Sequence, residues 1–244
     1  MDNDFFNVAL ALGVLAGSKP TTISGVVRMM PVRIVIMAKA PVAGFAKTRL
    51  IPALGSEGAA QLAQKMLSHT LATALASKLG VVEICATPDP TDPVWQNLDL
   101  PNNVSWSAQG DGDLGERMAR AAARTTRNGE AILLIGTDCP AIDVFTLHEA
   151  AQALHDYDAS LLPTYDGGYA LLALKSFENR LFENMPWSTS TVALKTLQIM
   201  AQIDCEVKVL QTLHDIDEPI DLAQLPVEWG YAACKKVSLD STLA

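Results

Sequence analysis

An α/β architecture, with a mostly parallel central sheet flanked by helices in three layers, follows from three features of the chain. Strand-like and helix-like segments alternate from residue 32 onward, the pattern of βαβ units. The run Ala131–Gly136 is continuously apolar, as expected of a strand covered on both faces. Three cations and a glycine fill the loop after the first strand, where open α/β sheets place their ligand crevice.

The elements follow in order. Arg33–Met37 is predicted as the first strand. Ser56 to Lys78 carries Ala59, Leu62, Ala63, Met66, Leu67, Leu71 and Leu75 at helical spacing. Ser56 is its expected N-cap and Gly80 its terminator. Val81–Thr87 is a second strand, ended by Pro88-Asp89-Pro90, and Val104–Ala108 a third. Leu114–Arg127 is helical up to Asn128-Gly129. After Ala131–Ile135, Asp143 caps a helix reaching Leu154. Ala159–Pro163 and Tyr169–Leu174 are strands separated by Thr164–Gly168. Thr191–Gln202 is helical, Glu206–Leu210 a last strand and Glu218–Leu225 a short helix. Neither internal repeats nor low-complexity linkers occur, so residues 31–230 are expected to form one domain, with 231–244 as a tail.

Composition bounds the function. With 244 residues, 49% hydrophobic and 18% charged, the chain is globular in type. Its net charge of −9 argues against nucleic acid as a partner. Cys85, Cys139, Cys205 and Cys234 form no CxxC pair, which argues against zinc or thioredoxin-like chemistry. Cys139 reads as a packed thiol because no His accompanies it. The apolar run Val8–Gly17 is too short to span a bilayer, and Met1–Asn7 has no basic residue of a secretory signal. Residues 1–30 are therefore expected to be a flexible extension, and the protein cytoplasmic without stable membrane insertion. Walker and Gly-x-Ser-x-Gly motifs are missing, and no Gly-x-Gly-x-x-Gly follows the first strand.

Against the acidic background, Lys39-Ala40-Pro41-Val42-Ala43-Gly44-Phe45-Ala46-Lys47-Thr48-Arg49 stands out. Lysines supply point charges and Arg49 a bidentate fork, a set suited to a phosphorylated ligand. Gly136-Thr137-Asp138-Cys139-Pro140 ends the buried strand. Asp143 already fills the cap position, so Asp138 is free to hold Mg²⁺, which takes one or two carboxylates plus phosphate oxygens. In His214-Asp215-Ile216-Asp217-Glu218-Pro219, one aspartate is expected to face the crevice and the other to cap the next helix. The glycines of Gln109-Gly110-Asp111-Gly112-Asp113-Leu114-Gly115-Glu116-Arg117 allow close backbone approach to a ligand. Asp113 is a cap candidate there. Arg117, in the first helical turn, is either functional or a solvated surface residue. Asp166-Gly167-Gly168-Tyr169 reads as a hairpin turn or as an acceptor wall. Trp187 either stacks on a sugar or seals the core edge.

Six motifs in this order, Lys39…Leu50, Asp113–Arg117, Gly136–Pro140, Asp166–Tyr169, Trp187–Thr189 and Asp215–Asp217, resemble the radical-SAM/selenodomain-associated transferase family. That family is a branch of the GT-A nucleotide-diphospho-sugar transferase superfamily. More distantly the chain looks like the phospholactate and molybdenum-cofactor guanylyltransferases. The resemblance implies a Rossmann-like GT-A fold, a nucleotide at the first strand's loop, and a divalent metal, Mg²⁺ or Mn²⁺, on the diphosphate. Nucleotide contacts would fall to Lys39, Gly44, Lys47, Arg49, Asp113 and Arg117. Asp138, with Asp215 or Asp217, would hold the metal, although the usual Asp-x-Asp is here Thr137-Asp138-Cys139-Pro140. Catalysis would involve Asp138, Lys47 and Asp166, and the acceptor would meet Gly168, Tyr169 and Trp187. The partners implied are a nucleotide or nucleotide-sugar and a small acceptor. Glycosyl transfer is favoured by the resemblance, whereas the dense Lys/Arg loop suits a triphosphate and hence nucleotidyl transfer. A non-catalytic nucleotide-binding protein on the same fold is the remaining reading.

Overall fold

The computed structural model describes residues 30–231. The expectations for residues 1–29, for the tail 232–244 and for Cys234 lie outside them. Seven strands form one sheet: β1 (Val32–Lys39), β2 (Gly80–Thr87), β3 (Ser105–Ala108), β4 (Ala131–Ile135), β5 (Ala159–Pro163), β6 (Tyr169–Leu174) and β7 (Val207–Val209). Their spatial order is β3-β2-β1-β4-β6-β5-β7. Only β6 runs antiparallel to its neighbours among these strands. The α/β class with a mostly parallel sheet is thus the observed one.

Alternation along the central strands sorts side chains into two layers. Ile34 and Ile36 of β1 and Leu133 and Ile135 of β4 pack with Leu67 and Leu71 of α1 (Ile51–Ser77) and Leu147 of α3 (Val144–Ala153). Val35, Ile132 and Leu134 face the other way. They meet Met118 and Ala122 of α2 (Leu114–Arg127) and Ala193, Leu197 and Met200 of α4 (Val192–Gln202). A third cluster joins Leu50, Leu62 and Met66 to Ile216, Leu222 and Leu225. It docks the segment after β7 against the start of α1, and this docking builds one wall of the site.

Several boundaries differ from the sequence expectation. The first helix begins at Ile51, ahead of Ser56, with Pro52 in its first turn and a break at Gly55 (φ 71°). It ends on Lys78, whose left-handed backbone (φ 54°) takes the terminating role assigned to Gly80. Gly80 instead opens β2, where a Cβ would lie 1.9 Å from the Val32 carbonyl oxygen of β1. The glycine is required by strand approach rather than by the helix end. Thr191 stands at the start of α4 without a side-chain cap bond. The apolar β2 pattern also hides a charge. Glu83, 4% exposed, accepts from the Ser107 hydroxyl (2.6 Å), pairs with Arg33 (3.1 Å) and bonds Arg124. A buried carboxylate is tolerated because its oxygens are satisfied.

Gly80→Ala is expected to cost about 1–3 kcal/mol, the range for overpacking against an unyielding backbone. Urea unfolding of the variant and the wild type measures it, and a loss below the error of the fit would refute the strand-approach reading.

Candidate active site

The sheet order reverses between β1 and β4: β1 leads to β2 on one side, and β4 lies on the other. Ligands of open α/β sheets bind outside the carboxyl ends of strands at such a switch point. Three segments meet there: the loop after β1, the loop after β4, and the β5–β6 turn, which the antiparallel β6 brings to the same end. The segment His214–Asp217 closes the side.

Lys47 ties these parts together. Its ammonium lies 2.6 Å from Asp138 Oδ1, 2.8 Å from Asp217 Oδ1 and donates to the Ile216 carbonyl at 2.6 Å. The Ile216 carbonyl and Asp217 accept hydrogen bonds from the ammonium, and Asp138 faces it as an ion pair. The side chain is 9% exposed. Burial works to lower its pKa, but the Asp138 and Asp217 carboxylates outweigh it and hold the ammonium above the usual lysine range. The backbone of Lys47 is left-handed (φ 47°, ψ 47°), and the Ile216 N–H donates to the Asp138 carbonyl at 2.8 Å. Asp138 and Asp217, 79 residues apart in the chain, thus converge on one point. Asp217 supplies a second carboxylate where the loop after β4 has only one. Both are partly exposed, at 49% and 40%, and such hard oxygen donors suit a divalent cation.

The sequence expectation of one cleft-facing aspartate and one cap needs correction. Asp221 accepts from the N–H groups of Asp217 and Glu218 (3.1 and 2.7 Å) and does the capping. Asp215 and Asp217 are both left to the cleft. Asp143 caps α3, with Thr146 N–H donating at 2.7 Å, so Asp138 is indeed spare.

Most of the remaining candidates line two adjoining compartments that share Met37, Asp138, Asp166, Ser188 and Thr189; Asp113 and Arg117 line neither. One, of about 440 Å³, holds Lys39, Lys47, Arg49, Thr137 and Asp217. Lys39 donates to the Phe45 carbonyl (2.7 Å), and Arg49, 61% exposed, stands 3.6 Å from both Asp217 and Glu218. Gly44, with φ 79°, forms the turn between them. The other, of about 290 Å³, is walled by Met118, Leu134, Tyr169, Ala170, Trp187 and Val192, with Asp215 at its edge. Gly168 lies in this wall, and its N–H donates to Asp166 Oδ1 at 2.9 Å, beside the Thr164 hydroxyl at 2.6 Å. The Tyr169 hydroxyl and Trp187 indole N–H are buried without a hydrogen-bond partner. Burial pushes the Tyr169 phenol above its ordinary pKa.

Two candidates have local duties. Asp113 accepts the Glu116 N–H (2.9 Å) in a capping box for α2, and Arg117 Nε donates to the Gly112 carbonyl at 2.9 Å. Arg117 thereby finds the partner that its place in the first helical turn demands. Cys139 is 4% exposed and burial pushes its thiol up to about 12, which suits packing rather than nucleophilic attack. Three further residues shape the site: Gln109 and Gly115 belong to the glycine-rich motif read from the sequence, and Arg120 was not singled out there. Gln109 Nε2 donates to the Ala38 and Cys85 carbonyls (3.1 and 2.9 Å), pinning the ends of β1 and β2. Arg120 donates to the Asp111 carbonyl at 2.9 Å and holds the glycine loop. Gly115 gives the Trp187 indole its room: a Cβ there would lie 2.6 Å from Nε1. The only sequence signal for these was a glycine in a helix's first turn and a glutamine at a strand end.

This fold has known counterparts. The model of a family described as an uncharacterized protein conserved in bacteria (DUF2064) matches residues 70–189. A Desulfovibrio desulfuricans G20 protein, classed provisionally as a nucleotide-diphospho-sugar transferase, is 30% identical with a TM-score of 0.72, over 78% of this chain and 84% of that one. The chain belongs to the family of that protein. CMP:2-keto-3-deoxy-manno-octonic acid synthetase in complex with CTP superposes with a TM-score of 0.53 at 11% identity, over 82% and 99%. A cytidylyltransferase from Leptospira borgpetersenii does so at 0.52 and 19%, over 84% and 92%. These two share the fold. No curated protein matches the chain. Among the described residues no helix is long and apolar enough to cross a membrane.

Burial, with Asp166 and then Asp217 nearby, raises the Asp215 carboxyl to about 6. The folded state therefore binds more protons than the unfolded one between about pH 3.9, the ordinary aspartate value, and about 6. Stability falls as pH rises through that window. In metal-free buffer, Asp215→Asn should melt higher than wild type at pH 7.5, by about a few degrees. The gap should close towards pH 4; an offset independent of pH in thermal melts would contradict the assignment.

Proposed function

We propose that the protein is a metal-dependent glycosyltransferase, moving a sugar from a nucleotide-diphosphate donor to a small acceptor. The observation that supports this most is the pair of compartments meeting at Asp138 and Asp166. The cationic one suits the diphosphate, through Lys39 and Arg49. The apolar one, with Tyr169 and Trp187 in its wall, suits the acceptor. The bond to be exchanged would then lie at the shared wall.

The donor set fits a divalent ion of the Mg²⁺ or Mn²⁺ kind. Asp138 and Asp217 offer two hard carboxylates on the phosphate side, and among the described residues no group of three or more His, Cys, Asp or Glu stands ready to hold a metal alone. Substrate phosphates would complete the shell. When bound, such an ion offsets the charge on the departing diphosphate. The chain's own residues do the rest. Lys39 and Arg49 hold the phosphates and favour charge growing on the leaving oxygen. Asp166, its Oδ1 fixed by Thr164 and Gly168, keeps Oδ2 to accept the acceptor hydroxyl's proton as that oxygen bonds the sugar carbon. The apolar walls limit water, which would otherwise compete as acceptor.

Nucleotidyl transfer is the second reading. It is favoured by Lys39 and Arg49 on the open side of the cleft, where cations would suit a triphosphate. Lys47 adds less to that argument than the sequence suggests, because its ammonium is already engaged by Asp138, Asp217 and the Ile216 carbonyl.

Thermal shift with nucleotides tests the proposal. Nucleoside diphosphates and nucleotide-sugars should stabilise the protein only when Mg²⁺ or Mn²⁺ is present, and Asp138→Asn should remove that dependence. Arg49→Ala should weaken nucleotide binding about tenfold or more, as loss of a charge-assisted hydrogen bond implies. Stronger protection by triphosphates, with release of pyrophosphate, would replace glycosyl by nucleotidyl transfer. Protection that ignores metal would defeat both.

A further inference from the structure

Lys47 stands where the Proposed function needs a divalent cation to act. Its Nζ is within 2.8 Å of one oxygen from each of Asp138 and Asp217, and it is shielded from water. A phosphate-binding lysine would be expected to extend into the cleft with protons to spare. This one points away from that use: Asp217 and the Ile216 carbonyl accept its hydrogen bonds, and Asp138 pairs with its charge at 2.6 Å. We propose that in the ligand-free protein the Lys47 ammonium holds the place of the metal, and that ammonium and metal compete for the same two carboxylates.

The inference rests on the metal reading above and adds a role to it. Two carboxylates converging on one point repel each other unless a cation lies between them. The fold docks Asp217 beside Asp138 through the Ile216 N–H bond to the Asp138 carbonyl, and Lys47 supplies the cation that makes this docking tolerable without metal. A divalent ion must displace the ammonium or bind beside it; either way one positive charge opposes it. Metal alone is therefore held weakly. Lys47 also lines the cationic compartment, so phosphates entering there give the released ammonium new oxygens on a flexible four-carbon stem. Metal and nucleotide then favour one another's binding, and the ligand-free protein does not load metal wastefully. Lys47 is in this account a positioning residue for the carboxylates before it is a phosphate ligand.

Mn²⁺ itself is the probe. The free-ion signal in electron paramagnetic resonance reports its affinity for wild type, Lys47→Met and Asp138→Asn without nucleotide. Lys47→Met should bind Mn²⁺ about tenfold tighter than wild type, the effect of removing one unit charge beside a divalent ion even with water-like screening. Asp138→Asn should lose binding. Equal or weaker binding by Lys47→Met overturns the competition and leaves the metal reading standing. If wild type fails to bind Mn²⁺ even with a nucleoside diphosphate present, both fall. Should Lys47→Met not fold, ¹⁵N-lysine-labelled wild type decides: saturating Mg²⁺ must move the Lys47 ammonium resonance, and an unmoved signal with Mg²⁺ bound overturns the proposal.

Discussion

The ammonium of Lys47 joins the loop after β1, the loop after β4 and the segment after β7. These parts of the chain are far apart in sequence, and two of them bring carboxylates. Without a cation between Asp138 and Asp217, the cluster of Leu50, Leu62 and Met66 against Ile216 and Leu222 would be pressing like charges together. Apolar burial supplies the docking force, and the Lys47 ammonium, itself 9% exposed, offsets the charge of the two half-exposed carboxylates it brings together. Here the geometry places two hard oxygen donors at the reversal point of a parallel sheet.

From that constraint the cleft takes its two-part form. The switch point opens between β1 and β4, and the antiparallel β6 returns the Thr164–Gly168 turn to the same end. Gly167 (φ 90°) lets that turn touch the Ser188–Ser190 loop; a Cβ there would meet the Ser190 carbonyl oxygen at 2.0 Å. Charge and apolar surface are thereby segregated. Lys39 and Arg49 lie on one side of Asp138 and Asp166, with Tyr169 and Trp187 on the other. Group transfer from a phosphorylated donor benefits from that separation, because a phosphate prefers fixed cations while the reacting centre needs water kept away.

Much of the architecture was legible because it depends on local pattern. The limits of α2, β4, β5 and β6 agree with the sequence reading, since α2 carries a cap and a terminating Asn-Gly, and the strands are short apolar runs bounded by turn residues. The misreadings have physical causes. Gly80 looked like a helix stop because glycine favours left-handed backbone, yet its small size serves β1 and Lys78 accepts the strained conformation. Asp215 and Asp217 seemed to share duties between cleft and cap, but Asp221 reaches back to do the capping. Arg117, left open between a functional and a surface role, donates to a carbonyl of the preceding turn, which offsets its conflict with the helix dipole.

The residues alone determined the layered α/β class, the order of its elements and the concentration of cations after β1. Those properties follow from spacing, side-chain volume and charge along a few neighbouring turns. Which cation meets which carboxylate was decided only by the tertiary structure. Lys47 reads as a phosphate ligand when Asp138 and Asp217 are 91 and 170 positions away along the chain. It reads as their common partner once the sheet order and the third apolar cluster bring the three together. Long-range electrostatic pairing depends on distance in space, and hydrophobic docking sets that distance.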